Sequence, residues 1–222
     1  MSARPLAWLA AVAIAFATSA CTQTVEESVS PFETYKPRSI LVLPPLNESV
    51  DVNAPYNWLS TITMPLGEAG YYVFPVAVID AYMKDNGLPT PDEMHTVSLA
   101  KLREVIGPDA VLYVTIEDWG QKYQVLSSTT VVKARARLVD VASGAEIWTG
   151  NAVGVEGSGT SNDLVGMLIT AAISQVIDSA GDAAHDVARR ANIEMVLDPR
   201  TGFAPGPYSP DYAPGTGGAV AP

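Results

Sequence analysis

The sequence predicts an α/β fold, a mixed sheet of about five strands with helices on both faces. Three observations lead there. Apolar runs of strand length alternate with stretches of helical spacing between residues 39 and 116. Residues 110–116 form an unbroken apolar run, the pattern of a central strand covered on both sides. Residues 131–139 and 146–153, separated by a turn at 140–144, predict an antiparallel pair at an edge or flank of the sheet.

Each element has a local reason. Residues 39–43 read as a buried first strand, stopped by Pro44 and Pro45, which cannot donate ladder hydrogen bonds. A polar loop follows at 46–53. From 55 to 69 the residues Trp58, Leu59, Ile62, Leu66 and Ala69 recur at helical spacing, with Gly70 at the stop. Pro65 inside that stretch predicts a kink or break. Residues 71–74 predict a second strand ended by Pro75, and 76–84 a short helix closed by Asn86 and Gly87. Thr90, Pro91 and Glu93 supply a cap residue, a first-turn proline and a capping-box acid, and 98–106 continues as helix to Gly107 and Pro108. After the central strand, Glu117 and Asp118 read as a charged strand end, with Trp119 and Gly120 making the turn. In 131–139, Val132, Ala134, Ala136 and Leu138 face inward while Lys133, Arg135 and Arg137 form a basic stripe. A Gly- and Ser-rich loop, 154–161, precedes a long amphipathic helix, 162–192, that covers the sheet.

Residues 1–20 have the form of a secretory signal peptide: Arg4 is the only charge, an apolar run follows, and Ala20 ends the segment. That run is shorter than the ~20 apolar residues a spanning helix needs. Cys21 is the single cysteine of the chain, and its place directly after such a segment predicts lipidation. Ala20 fits the small residue that precedes a lipidated cysteine; Thr18 stands where a large aliphatic is usual. Thr22 follows the cysteine in place of the Asp that retains lipoproteins on the inner membrane, which predicts an outer-membrane, periplasm-facing anchor. Residues 21–36 then form the lipidated cysteine and a polar tether, 37–197 a single α/β domain, and 198–222 a Pro- and Gly-rich disordered tail. A net charge of −11 argues against nucleic acid as partner and leaves membrane residence to the acyl chains.

Four blocks carry a resemblance: KPRSILVLPPLNES at 36–49, MPLGEAGYYVFP at 64–75, LREVIGPDAVLY at 102–113, and LVD at 138–140 leading to Trp148. In this order they resemble a family of bacterial lipoproteins typified by a genome-derived neisserial antigen. The resemblance implies the fold of the TolB N-terminal domain, which CsgG, the curli secretion lipoprotein, and LpoB, an activator of a peptidoglycan synthase, share. It implies envelope assembly with protein partners and assigns no site residue.

The candidate partner-binding groups are Asn47, Glu48, Ser49 and Asp51 in the loop after the first strand, and the stripe Lys133, Arg135 and Arg137. A solvated loop and a solvated strand face are the plainer readings. Glu117 and Asp118 would share a site only if their strand bulged, because adjacent strand residues point to opposite faces. His95 and His185 lie on different predicted helices without ligand-spaced partners, so no metal or other cofactor is expected. No Gly-x-Ser-x-Gly elbow occurs, and no enzyme activity is expected. The expectation is a non-catalytic accessory subunit in envelope assembly or secretion, with membrane contact through Cys21, envelope proteins as partners and self-association left open. The alternatives are an LpoB-like regulator of peptidoglycan synthesis and a CsgG-like oligomeric export component, for which only residues 123–131 offer an inserting strand.

Overall fold

The computed structural model describes residues 31–124, 127–157 and 180–212. A short helix, α1 (Pro31–Tyr35), leads into β1 (Ser39–Val42) and β2 (Leu46–Asn47), which are followed by α2 (Ala54–Glu68) and β3 (Tyr72–Val73). Three more helices come next, α3 (Val76–Asp85), α4 (Pro91–His95) and α5 (Leu99–Val105). Two long strands and a third complete the sheet, β4 (Ala110–Gln124), β5 (Ser127–Asp140) and β6 (Glu146–Gly157), and α6 (Ala180–Leu197) packs behind them.

The sheet runs in the order β3-β1-β4-β5-β6, with β2 also paired to β4. The β1, β2 and β3 pairings are parallel, while β4, β5 and β6 run antiparallel. β1 pairs with Ala110–Leu112 and β2 with Thr115 and Ile116, so the two are one edge interrupted where Pro44 and Pro45 cannot donate. The starts of β1 and β4 are tied by Asp109, whose Oδ2 accepts from the N–H groups of Arg38 (2.9 Å) and Ser39 (3.0 Å) and from the Ser39 hydroxyl (3.0 Å).

The two faces carry separate cores. On one, Trp58, Leu59, Ile62 and Leu66 of α2 and Val187, Ala188, Ala191 and Met195 of α6 meet Leu112, Val114, Ile116, Val132 and Leu138 of the sheet. On the other, Ile79 of α3, Met94 of α4 and Leu102 of α5 cover Leu41, Leu43, Val111, Tyr113 and Val139. The capping box is formed as the sequence predicts: Thr90 accepts from the Glu93 N–H, and the Glu93 carboxylate accepts from the Thr90 N–H at 3.0 Å. A separate cap at Ser98 starts α5, so the predicted continuous helix is two.

The structure corrects several expectations. Pro65 does not break α2. It lies in the last turn, where it removes a single ladder bond, and the turn continues because the Ala69 N–H donates to the Pro65 carbonyl at 2.9 Å. Trp119 and Gly120 are not a turn; β4 runs through them to Gln124. Residues 123–131 are not one strand, since 123–124 belong to β4 and 127–131 to β5, the two arms of one hairpin. Of the loop expected at 154–161, residues 154–157 belong to β6, and 158–161 lie outside the described residues.

The domain is also longer than 37–197. Phe32 of the expected tether and Phe203 of the expected tail are both buried, with ring centroids 5.3 Å apart, and Phe203 stands edge-on to Trp148 at 4.4 Å. Backbone bonds hold this segment like a strap: the Gly206 N–H donates to Ala69 O (2.7 Å), the Tyr208 N–H to Gly70 O (3.0 Å) and the Phe203 N–H to Val196 O (2.8 Å). Composition underrated it, because a single buried aromatic ring and a few backbone bonds order a Pro- and Gly-rich segment. Cys21, the signal-like segment, 162–179 and 213–222 lie outside the described residues.

Candidate functional site

Helices α3 to α5 cover only one end of their sheet face. Beyond His95 no described residue covers the face, and its middle strand is β5. Antiparallel pairing sets Tyr113 and Thr149 on either side of Arg137, Thr115 and Asn151 beside Arg135, and Asp118 and Val153 beside Lys133. Cross-strand neighbours share a face, so these side chains form one surface. An open cavity of about 330 Å³ lies on it, lined by Leu46, His95, Tyr113, Thr115, Arg137 and Thr149 among others.

A bulge in β4 shapes the distal part. Ile116 pairs with Ala134 and Asp118 with Lys133, leaving Glu117 as an extra residue. The extra residue puts Glu117 and Asp118 on the same basic face and turns Trp119 into the core, where it is buried opposite Val132. The condition for the two carboxylates to share a face is therefore met. Each is engaged by a cation: Glu117 pairs with Arg135, and Asp118 with Lys122 at 2.7 Å. Paired in this way, they are not poised as an acid and a base.

Arg137 is held differently. Its guanidinium carbon sits 4.4 Å from the centroid of the Tyr113 ring, a cation–π stack, and His95 meets the same ring edge-on at 5.3 Å. Among the described residues neither Arg137 nor Lys133 has an ion-pair partner. The contact holds an otherwise exposed guanidinium against the ring. His95 Nε2 lies 2.9 Å from the Pro44 carbonyl. A carbonyl only accepts, so Nε2 carries the proton. Burial holds His95 below its ordinary value, and Arg137 pushes the same way against the Pro44 carbonyl and Asp92. Burial likewise raises the Tyr113 hydroxyl above the usual phenol range, with Arg137 opposing.

The loop candidates behave otherwise. Asn47 Oδ1 accepts from the Ser49 N–H (3.1 Å) and hydroxyl (2.7 Å), Asn47 Nδ2 donates to Asp51 O (2.8 Å), and Asp51 Oδ1 accepts from the Asn53 N–H (2.8 Å). Most of the loop's polar groups are taken up by its own turn. Glu48 is exposed. Leu46 reaches the cavity, but Asn47 pairs with Ile116 and faces the other way, so loop and stripe do not converge. His185 is also apart, across α2 and α6, with its Nε2 3.1 Å from the Ser60 hydroxyl. Sequence reasoning found the stripe, named the bulge on which Glu117 depended and set His95 aside for want of partners; it missed Tyr113 and the ring contacts that join His95 and Arg137 to it. The first was in reach: once β4 and β5 are read as paired strands, the alternation that places Arg137 outward places Tyr113 beside it.

Fold and site define a mixed α/β domain whose described residues seal one sheet face with helices and cover half of the other. The chain belongs to the GNA1162-like lipoprotein family, whose model, "Putative lipoprotein GNA1162-like", matches residues 28–208. It is 43% identical over 188 residues to "Putative lipoprotein NMB1124/NMB1162" of Neisseria meningitidis serogroup B, covering 83% of this chain and 87% of that relative. The crystal structure of lipoprotein GNA1162 from Neisseria meningitidis aligns with a TM-score of 0.53 at 49% identity, covering 64% of this chain and 100% of that one. The LpoB C-terminal domain from Salmonella enterica aligns with a TM-score of 0.36 at 17% identity, over 52% of this chain and 81% of its own. The family resemblance carried by the four sequence blocks is confirmed.

Proposed function

We propose that this protein is an outer-membrane lipoprotein, acylated at Cys21 and facing the periplasm, that serves as a non-catalytic accessory subunit in envelope assembly or secretion. The observation that supports it most is the open half of the sheet. A chain of net charge −11 there exposes Lys133, Arg135 and Arg137 in a row, with neighbours that orient them for recognition. Membership of a lipoprotein family and the position of Cys21 after a signal-like segment support the anchor.

Packing from Pro31 onward makes the link to the membrane shorter than the sequence implied. Nine residues lie between Cys21 and Pro31, a reach of at most ~35 Å. That reach favours a partner close to the anchoring membrane and counts against an LpoB-like regulator that crosses a wide gap.

Two experiments test the reading. Metabolic labelling with a fatty acid should mark the native chain and leave Cys21→Ser unlabelled; equal labelling removes the anchor. A photo-crosslinker at position 149 in intact cells should give discrete adducts with other envelope proteins. Recovery of lipid and self-adducts alone would sink the accessory role, and steady channels in planar bilayers would replace it with a pore.

A further inference from the structure

The row of cations on the open sheet face has a regular geometry. Lys133, Arg135 and Arg137 are alternate residues of one strand, so their side chains leave the sheet at intervals of ~6.6–6.8 Å. An extended peptide repeats its own same-side groups at that interval. The flanks are Thr115 on β4 and Thr149 and Asn151 on β6, which set hydroxyl and amide groups on either side of the row. Among the described residues the acidic groups on the face are Glu117 and Asp118, each already engaged by a cation, and Glu146 at the rim of the cavity. The Tyr113 ring has Arg137 over its face and His95 at its edge, so it offers little stacking surface to a sugar.

We propose that this face binds an extended acidic segment of a partner protein, whose alternate carboxylates sit on Lys133, Arg135 and Arg137. Arg137 is the anchor of the site: among the described residues it has no ion-pair partner to give up, it lies over the Tyr113 ring, and its N–H donors match the two oxygens of a carboxylate. Arg135 shares its charge between Glu117 and the incoming acid. Lys133 contributes a point charge at the distal end. The inference rests on the accessory reading above and names the chemistry of the partner.

The probe is a fluorescein-labelled peptide of alternating serine and glutamate, read by fluorescence anisotropy against the full chain, with the glutamine version as control. The glutamate peptide should bind, its binding should weaken as salt is raised, and the glutamine control should neither bind nor compete with it. Arg137→Ala should lower affinity at least about tenfold, and Arg137→Lys should recover only part of it. Arg190→Ala, a cation paired with Glu156 away from this face, should bind as the native chain does. Equal binding by Arg137→Ala, or by the glutamine peptide, overturns the proposal, as does binding of an acidic polysaccharide with none of the peptide. The same series in full-length Cys21→Ser separates the two readings: peptide binding there should be unchanged, so a failed anchor and a failed peptide site give different results.

Discussion

The two faces of the sheet are built from the same strands and differ in what covers them. Under α2 and α6, Trp58, Trp119, Ile62 and Leu66 are buried together with the inward residues of β4 and β5 over most of the sheet. Under α3 to α5 the apolar set ends near Tyr113, and the same strands continue with Thr115, Arg135, Lys133 and Asn151. One face therefore carries most of the stability that burial provides, while the other combines a smaller core with a polar surface that no described residue covers. Strand alternation lets a single segment serve both purposes: Val132, Ala134 and Ala136 are buried, and the basic residues between them are exposed.

The sharpest way to break this contrast is Trp119→Ala, which empties a buried site on the sealed face; denaturant unfolding should show a loss of about 3–5 kcal/mol. Phe203→Ala should cost about 3 kcal/mol, because the strap closes the aromatic group of Phe32, Tyr71 and Trp148. A disordered tail would instead leave the unfolding midpoint unchanged. Thr90→Ala removes the capping box on the half-covered face and should lower stability by about 1 kcal/mol.

A pH effect belongs to the same face. His95 is held neutral in the fold below its ordinary value near 6.5, so on acidification the unfolded chain takes up this proton first. Its contribution to stability is present above about 6.5 and is lost as pH falls toward the folded value. His95→Gln should therefore flatten the decline in stability between neutral and mildly acid pH, measured as unfolding midpoint against pH. The smallest effect is expected at Arg135→Ala, an exposed ion-paired position, where stability should stay within about 0.5 kcal/mol.

Features with a local cause were legible in the sequence. The capping box at Thr90, the stop at Gly70 and the continuous apolar run of the central strand each follow from a few adjacent residues. What was hidden depends on partners far along the chain. β2 exists because Ile116 and its neighbours offer a free edge to Leu46 and Asn47. The bulge at Glu117 is visible only when β4 is laid against β5, and the strap is ordered by contacts with residues more than a hundred positions away, as when the Tyr71 hydroxyl donates to the Ala204 carbonyl at 2.7 Å. The basic stripe was readable because strand periodicity is local; the stack of Arg137 on Tyr113 needed the register of two strands.

Glu117 gives β4 a parity. Every residue from Asp118 to Lys122 keeps its side of the sheet because one unpaired position precedes it. Deleting one residue from this arm would send Trp119 into water and draw a charge into the core, whereas trimming two from each arm of the hairpin would shorten it and leave every remaining side chain on its own face. Length in this region should therefore vary in matched, even steps, and a single-residue insertion or deletion should be more damaging than most substitutions.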